Sequence, residues 1–247
     1  MGYVFNSKDT KEYDQWFEKP DNRLFSGLEK KLMIEMLQPA RRETVLDIGC
    51  GNGESLIPFI EMGLSATGID PSQDMLDSAF NKLGNRVELR RGFAEDLPFD
   101  DNSFNYASFF TSLEFVNDPE KAIEEACRVA KDKIFIGILN SFSINFINIR
   151  TKGIFFESVY RHARFFNVWE IKKIIRGILG DVPVSWGTVN RFSFPAQIIA
   201  DKLEQTNMAK KYPFGTFAGI VVTLVPRFRT TPLTITYPKQ TSSAVAG

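Results

Sequence analysis

Histidine is almost absent from this chain and cysteine is scarce: one His and two Cys in 247 residues. Cys50 lies in a glycine-rich stretch and Cys127 in a helical pattern, and no Cys/His cluster has the spacing of a zinc site. A disulfide framework and a structural metal are therefore not expected. Net charge is also missing, because 30 Lys plus Arg balance 30 Asp plus Glu. Such a chain has no overall positive field to hold nucleic acid through counterion release, and no nucleic-acid partner is expected. Long apolar runs are lacking as well. The stretch 134–149 is broken by Asn140, Ser141, Ser143, Asn145 and Asn148, whereas a membrane-spanning helix needs about 20 mostly apolar residues. The N-terminus has no secretory-signal run, and Asn6 stands where a myristoylation signal would want Ser or Thr. These absences predict a cytoplasmic protein without membrane insertion.

What is present is enough apolar material for one large core, 43% of the residues. We expect one domain over 1–230 and a loose polar tail over 231–247. From Thr44 onward, short apolar runs alternate with helical patterns. "TVLDIG", "ATGID", "VELRRG", "FNYASFF" and "KIFIGIL" read as strands of parallel-sheet length. "ESLIPFIEM", "PSQDMLDSAFNKL" and "DPEKAIEEACRVAK" read as the helices between them, with Asp118 and Pro119 as cap and first-turn residue. Repetition of strand, helix, strand implies right-handed crossovers and a doubly wound α/β sheet. Ahead of this core, residues 13–37 read as helices anchored by Trp16, Phe17, Leu24, Phe25, Leu28 and Leu32. Beyond it, "FNVWEIKKIIRGIL" reads as an amphipathic helix, and "VPVSWGTV" and "GTFAGIVVTLVP" as two further strands.

The stretch "VLDIGCGNG", Val45 to Gly53, runs from strand through a glycine turn toward a helix. Such a turn brings backbone N–H groups and a helix N-terminus to one point at the carboxyl edge of a sheet. The next strand ends in Asp70, placed to accept hydrogen bonds from two ribose hydroxyls. The spacing is D-x-G-x-G-x-G, and Glu54 stands where a nicotinamide dinucleotide motif wants a small residue. Asp47 adds a negative charge that suits a cationic or amine-bearing ligand better than a pyrophosphate.

In this order the residues resemble the class I S-adenosylmethionine-dependent methyltransferases, specifically their type 11 small-molecule group. "VLDIGCGNG" is similar to the first motif of that family and "GIDPSQDML" to the second. "GFAEDLPFDDNSFNYASFFTSLEFV" is similar to the third and fourth, and "DPEKAIEEACRVAK" to the helix that follows. The resemblance implies a doubly wound, mostly parallel seven-stranded sheet with its last strand antiparallel. It also implies an N-terminal helical lid over 1–40 and a variable substrate-side segment over 140–180. S-adenosylmethionine would be the cofactor and S-adenosylhomocysteine the product. By the same resemblance Asp47, Gly49, Cys50, Gly51 and Gly53 would hold the methionine portion, Asp70 the ribose, and Pro71 and Met75 the adenine faces. The backbone of Ala94 would meet the adenine edge, and Phe110 and Thr111 the methionine end.

Two places depart from the family pattern. Phe93 stands where an Asp or Asn usually precedes the Ala, and a phenyl ring accepts no hydrogen bond from an adenine amino group; Glu95 or Asp96 would have to substitute. "VAKDKIF" stands where relatives have Pro-Gly-Gly, so the turn into the fifth strand must be built differently.

Methyl transfer from a sulfonium is an in-line displacement, so positioning and exclusion of water can carry much of the rate without a general base. Tyr13 and His162 are the candidates near the methyl group. His162 has no partner visible in the sequence and reads first as a surface or structural residue. "FFTSLEF" does not resemble the Asn/Asp-Pro-Pro-aromatic turn of amino-directed nucleic-acid enzymes. Phe142, Phe146, Phe155, Phe156, Phe165 and Phe166, with Arg150, Arg161 and Arg164, suggest a small lipophilic acceptor carrying an acidic group. Phe17, Arg161 and Arg164 are the expected substrate contacts. The alternatives are another S-adenosylmethionine-using transferase, a cofactor-binding protein without turnover, for which Phe93 speaks, and a nicotinamide oxidoreductase, against which Glu54 speaks.

Overall fold

In the computed structural model, residues 2–143, 162–190 and 213–224 are described. The expected tail, 231–247, lies outside them. Two helices, α1 (Ser7–Glu18) and α2 (Pro20–Leu37), precede β1 (Thr44–Ile48), α3 (Ile57–Glu61), β2 (Ser65–Asp70) and α4 (Gln73–Leu83). There follow β3 (Glu88–Arg91), β4 (Phe104–Phe110), α5 (Pro119–Val129) and β5 (Ala130–Leu139), then α6 (Val168–Leu179), β6 (Val184–Val189) and β7 (Phe217–Thr223). The seven strands form one sheet in the order β3-β2-β1-β4-β5-β7-β6. Strands β1 to β5 are mutually parallel, and β7 runs antiparallel to both β5 and β6. The strand order reverses beside β1, where β2 lies on one side and β4 on the other. That is the switch point at which open α/β sheets bind ligands.

Local chemistry accounts for the helix starts. Ser72 accepts a hydrogen bond from Met75 N–H (3.2 Å) to cap α4, and Asp118 accepts from Lys121 N–H (3.1 Å) to cap α5, with Pro119 just inside. Asn6 with Asp9 and Asn167 with Glu170 form complete capping boxes for α1 and α6. The sheet is buried on both faces, which is why its central strands are continuous apolar runs. One face packs Ile123, Ala126, Ile171 and Ile175 against Phe109 and Ile136. The other packs Met33, Leu37, Phe59 and Leu76 against Val45, Phe135 and Phe217.

Several expectations need correction. Helix α2 is a layer of the core: Met33 and Leu37 are wholly buried, so a lid spanning all of 1–40 is not what the chain builds. Leu24 is 47% exposed and anchors nothing. Helix α5 ends at Val129, and Ala130 already belongs to β5, so Lys131 is strand rather than helix. This hand-off replaces the missing Pro-Gly-Gly. The chain passes from helix to strand without an intervening loop, and a register shift between Phe104 and Tyr106 of β4 absorbs the mismatch. Asn105, at that shift, donates to Asp132 (2.8 Å) and accepts from Thr44 N–H (3.1 Å), tying three strands together. Among the described residues, no helix is long and apolar enough to cross a membrane, and no cluster of His, Cys, Asp and Glu could hold a metal.

Candidate cofactor and acceptor site

At the carboxyl edge the turn after β1 uses its glycines for different reasons. Gly49, Gly51 and Gly53 all have positive φ (73°, 51° and 81°), a conformation that L side chains resist. A Cβ on Gly49 would lie 2.4 Å from Ser112 Cβ, and one on Gly53 would lie 2.6 Å from Leu83 Cδ1. On Gly51 it would meet only Met75 Sδ at 3.9 Å, because this residue faces the cavity. The turn is stitched to β2 by Gly49 N–H and Cys50 N–H, which both donate to Ile69 O (2.7 and 3.1 Å).

Asp47 lies beneath this turn and not on the cavity wall. It is fully buried, accepting hydrogen bonds from Ser108 Oγ (2.6 Å) and Ser55 Oγ. Burial pushes its carboxyl up to about 6 against the two serine hydrogen bonds. The expectation that Asp47 itself meets the ligand is corrected: its reach ends at Ser55, which does line the cavity. Gly53 is likewise turned away, onto α4.

Asp70 is on the wall. Its Oδ2 accepts Gly51 N–H and its Oδ1 accepts Ser72 N–H, each at 2.9 Å, and burial raises its carboxyl to about 6. Each oxygen keeps lone-pair capacity for one more donor. Cys50 also lines the cavity, and burial pushes its thiol well above its ordinary value, so it is a neutral wall group and not a nucleophile. Pro71, Met75, Phe93, Ala94 and Glu95 line one end of the same cavity. Phe93 is 40% exposed at its edge. Glu95 is occupied in accepting Asn117 N–H (2.8 Å) and Asp118 N–H (3.2 Å), which fastens this loop to the start of α5. Asp96 does not reach the wall. Phe110 and Thr111 do, and Thr111 has φ 52° with its N–H on Gly137 O (2.9 Å).

The N-terminal residues close one side. Tyr3 N–H donates to Phe115 O (3.0 Å), Ser72 Oγ donates to Phe5 O (2.6 Å), and Asp14 receives Asn52 Nδ2 (2.7 Å) and Ser78 Oγ (2.9 Å). Tyr13 and Phe17 line the cavity, edge-on to each other at 5.2 Å. Glu54, at the junction of this segment with α2 and α4, is held by Lys30 Nζ (2.7 Å) and Lys82 Nζ (2.8 Å). Burial alone would raise its carboxyl; the two lysines outweigh it and hold the carboxyl below its ordinary value. The resulting stabilisation is present above the unfolded value and is lost as pH falls through the folded one. Glu54→Gln is expected to cost about 1 to 2 kcal/mol, between the values for exposed and buried pairs, as read by urea denaturation at pH 7.

The remaining candidates lie elsewhere. His162 stacks on Tyr3 at 4.2 Å and 6°, outside the cavity wall. The guanidinium of Arg164 lies over the Phe166 ring at 4.9 Å, and the residue's backbone N–H donates to Glu114 O (2.8 Å); Arg164 does not line the cavity. Arg161, Arg150, Phe146, Phe155 and Phe156 lie outside the described residues. Phe142 is 49% exposed and Phe166 is buried core, so of the described phenylalanines in this segment only Phe165 reaches the wall. The sequence reading missed Glu114, fully buried behind the tip of β4, where its Oε1 accepts Leu139 N–H (2.7 Å) and burial lifts its carboxyl to about 7. It also missed Phe25, Ser26 and Glu29 of α2, which line the cavity.

Residues 46–136, which contain the glycine turn, Asp70, the Phe93 loop and the β4 tip, match the family model described as a methyltransferase domain of type 11. Over that stretch the chain is similar to the type 11 class I methyltransferases. An uncharacterized protein of Methanocaldococcus jannaschii is 38% identical to this chain over 136 residues, covering 54% of this chain and 60% of that one. A demethylmenaquinone methyltransferase of Renibacterium salmoninarum is 34% identical over 106 residues, covering 41% and 43%. The matched stretch thus spans about half the length of these curated relatives. Over nearly its whole length, the chain is similar to a solved Thermotoga maritima structure described as an S-adenosylmethionine-dependent methyltransferase and possible histamine N-methyltransferase. That likeness has a TM-score of 0.68 at 26% identity, covering 89% of this chain and 97% of the other.

Proposed function

We propose that this protein transfers a methyl group from S-adenosylmethionine to a small-molecule acceptor in the cytoplasm. The observation that carries the reading is one continuous cavity whose wall includes the open Gly51 backbone, the Asp70 carboxylate and the β4 tip at Thr111. The residues fit the cofactor. Asp70 has spare acceptor capacity for two ribose hydroxyls, and Met75 and Pro71 offer apolar faces to a planar base. When bound, S-adenosylmethionine supplies an electrophilic methyl group. The chain's own residues do the rest: Tyr13, Phe17 and Phe110 surround the cavity with aromatic walls that keep water from the reacting centre, and the Gly turn fixes the backbone against which the donor is held. No side chain has to act as a base for an in-line displacement of this kind.

Isothermal titration with S-adenosylmethionine and S-adenosylhomocysteine tests the reading: both are expected to bind, and absence of binding to folded protein would overturn it. The titration carries a further expectation about pH. Asp47 and Asp70 have raised folded values of about 6, so without ligand these two groups make the fold less stable as pH rises from about 4 to about 6. Of the two, only Asp70 is on the wall; ribose hydroxyls donated to it favour its ionised form, so S-adenosylmethionine affinity is expected to rise between pH 5 and pH 7 and then level off. At pH 6, titrations in buffers of different ionisation enthalpy should show proton release on binding.

A further inference from the structure

The turn after β4, residues 112–115, is a junction between segments far apart in sequence. Ser112 Oγ donates to Ile48 O (2.5 Å), Phe115 O receives Tyr3 N–H (3.0 Å) and Glu114 O receives Arg164 N–H (2.8 Å). The Glu114 side chain adds a fourth tie, its Oε1 accepting Leu139 N–H (2.7 Å) at the end of β5. Residues 164–166 are fixed to the same strand end by Ser141 N–H on Phe166 O (2.9 Å). Glu114 thus sits behind the place where three pieces of cavity wall meet: Phe115, Leu139 with Asn140, and Phe165. In the sheet this place lies across β1 from Asp70, because β4 and β5 are on one side of β1 and β2 is on the other. With the ribose at Asp70, this is the wall left to the acceptor.

The second observation is what the carboxyl lacks. Glu114 is 1% exposed, and its Oε2 is buried without a hydrogen-bond partner. Among the described residues no charged group pairs with it, because those on the segments packed around it are engaged elsewhere. Tyr3 donates to Asp9, and Glu95 and Asp118 accept backbone N–H groups at the start of α5. Along α5, Lys121 pairs with Glu124 and Arg128 with Glu125, and Glu120 is exposed. His162 stacks on Tyr3 and Arg164 on Phe166, while the charged residues of β5 are Lys131, Asp132 and Lys133 at its opposite end. Burial therefore dominates and lifts the carboxyl to about 7, with only backbone N–H groups pulling against it. A neutral carboxyl is tolerable there; a carboxylate would be an uncompensated buried charge.

We propose that Glu114 is a positioning residue acting as a proton-controlled clasp: with its proton it holds the turn after β4, the end of β5 and residues 164–166 together as one acceptor wall, and on losing it to solvent it lets them part. The methyltransferase reading enters only in naming this wall the acceptor side. The closed wall binds the proton more tightly than an opened, hydrated carboxyl does. Local opening therefore becomes easier as pH rises from the ordinary glutamate value of 4.5 to about 7, and then levels off. Cofactor affinity is expected to rise over much of the same interval, so loading of the donor and firmness of the acceptor wall oppose each other.

The test is amide hydrogen exchange of the full chain, followed by NMR at pH 5, 6, 7 and 8 and corrected for the intrinsic rate. Protection of the Leu139 and Arg164 amides is expected to fall by about tenfold per pH unit from pH 5 to pH 7 and to stay level from pH 7 to pH 8. Glu114→Gln keeps an oxygen for Leu139 N–H but cannot ionise, so the fall at these two amides should be lost. The Gly51 amide, held by Asp70, should keep its wild-type profile in the variant. A merely structural Glu114 would leave the variant with the wild-type slope, displaced by one factor at every pH. That outcome would overturn the proposal, as would wild-type protection of both amides that does not change between pH 5 and pH 7. The wild-type measurement needs no variant and decides even if Glu114→Gln fails to fold. Titration of the same samples with S-adenosylhomocysteine reads the cofactor site separately: failure to bind would count against the methyltransferase reading and leave the exchange data to judge the clasp.

Discussion

Asp70→Ala is expected to weaken S-adenosylmethionine binding by about a hundredfold or more in calorimetric titration. Two hydrogen bonds to a charged acceptor, each contributing about 1.5 to 3 kcal/mol, are lost at once. Gly51 N–H and Ser72 N–H lose their acceptor as well, so the turn that faces the ligand loosens together with the start of α4. Asp70→Asn separates the two effects, because its amide oxygen can still receive one backbone N–H while the second position presents a donor. A melting curve for each variant shows whether the fold is kept. If Asp70→Ala remained folded and bound as tightly as the wild type, the ribose assignment would be wrong.

The second large effect is expected at Gly49, and it should appear in stability before it appears in binding. An alanine there must hold φ near 73° and place its Cβ 2.4 Å from Ser112 Cβ. The left-handed conformation costs about 1 to 2 kcal/mol for a non-glycine residue, and overpacking adds about 1 to 3 kcal/mol. Ser112 cannot simply move, since its Oγ donates to Ile48 O (2.5 Å) and so ties the β4 tip to β1. Gly49→Ala should therefore lose about 2 to 5 kcal/mol in urea denaturation. Gly51→Ala meets only Met75 Sδ at 3.9 Å and should lose only the conformational part. A similar loss at both positions would show that packing against Ser112 is not what demands glycine.

Much of this architecture could be read from the residues, and for definite reasons. The strands are apolar runs because the sheet is covered on both faces, and the turn after β1 is glycine-rich because three of its residues need positive φ. Asp70 ends an apolar strand just before Pro71, a place where core packing would not put a carboxylate. The misreadings have an equally definite origin. A sequence states the charge of Asp47 but not its depth, and two serines 8 and 61 residues away turn it from a ligand contact into a buried support. Arg164 was an attractive anchor until the fold offered its guanidinium the face of Phe166. His162 finds its partner in Tyr3, far away along the chain and beyond any local pattern. Ser26 and Glu29 sit on an amphipathic helix, where polar residues ordinarily mean a solvated face. Only the docking of α2 across the sheet turns that face inward.

The position of β7 has a consequence for how the protein comes into being. This strand, late in the chain, is not at the rim of the sheet but between β5 and β6, and β6 pairs with nothing else. During vectorial synthesis the glycine turn and Asp70 can assemble on β1, β2 and β4 while the ribosome is still working. Strand β6, in contrast, has no neighbour until residues 217–223 emerge, and until then β5 shows a bare apolar edge. The half that carries the glycine turn and Asp70 is thus able to form early, whereas the half that supports α2 must wait for β7. Nascent chains stalled before residue 217 should therefore be the aggregation-prone species of this protein, and the form most in need of a chaperone.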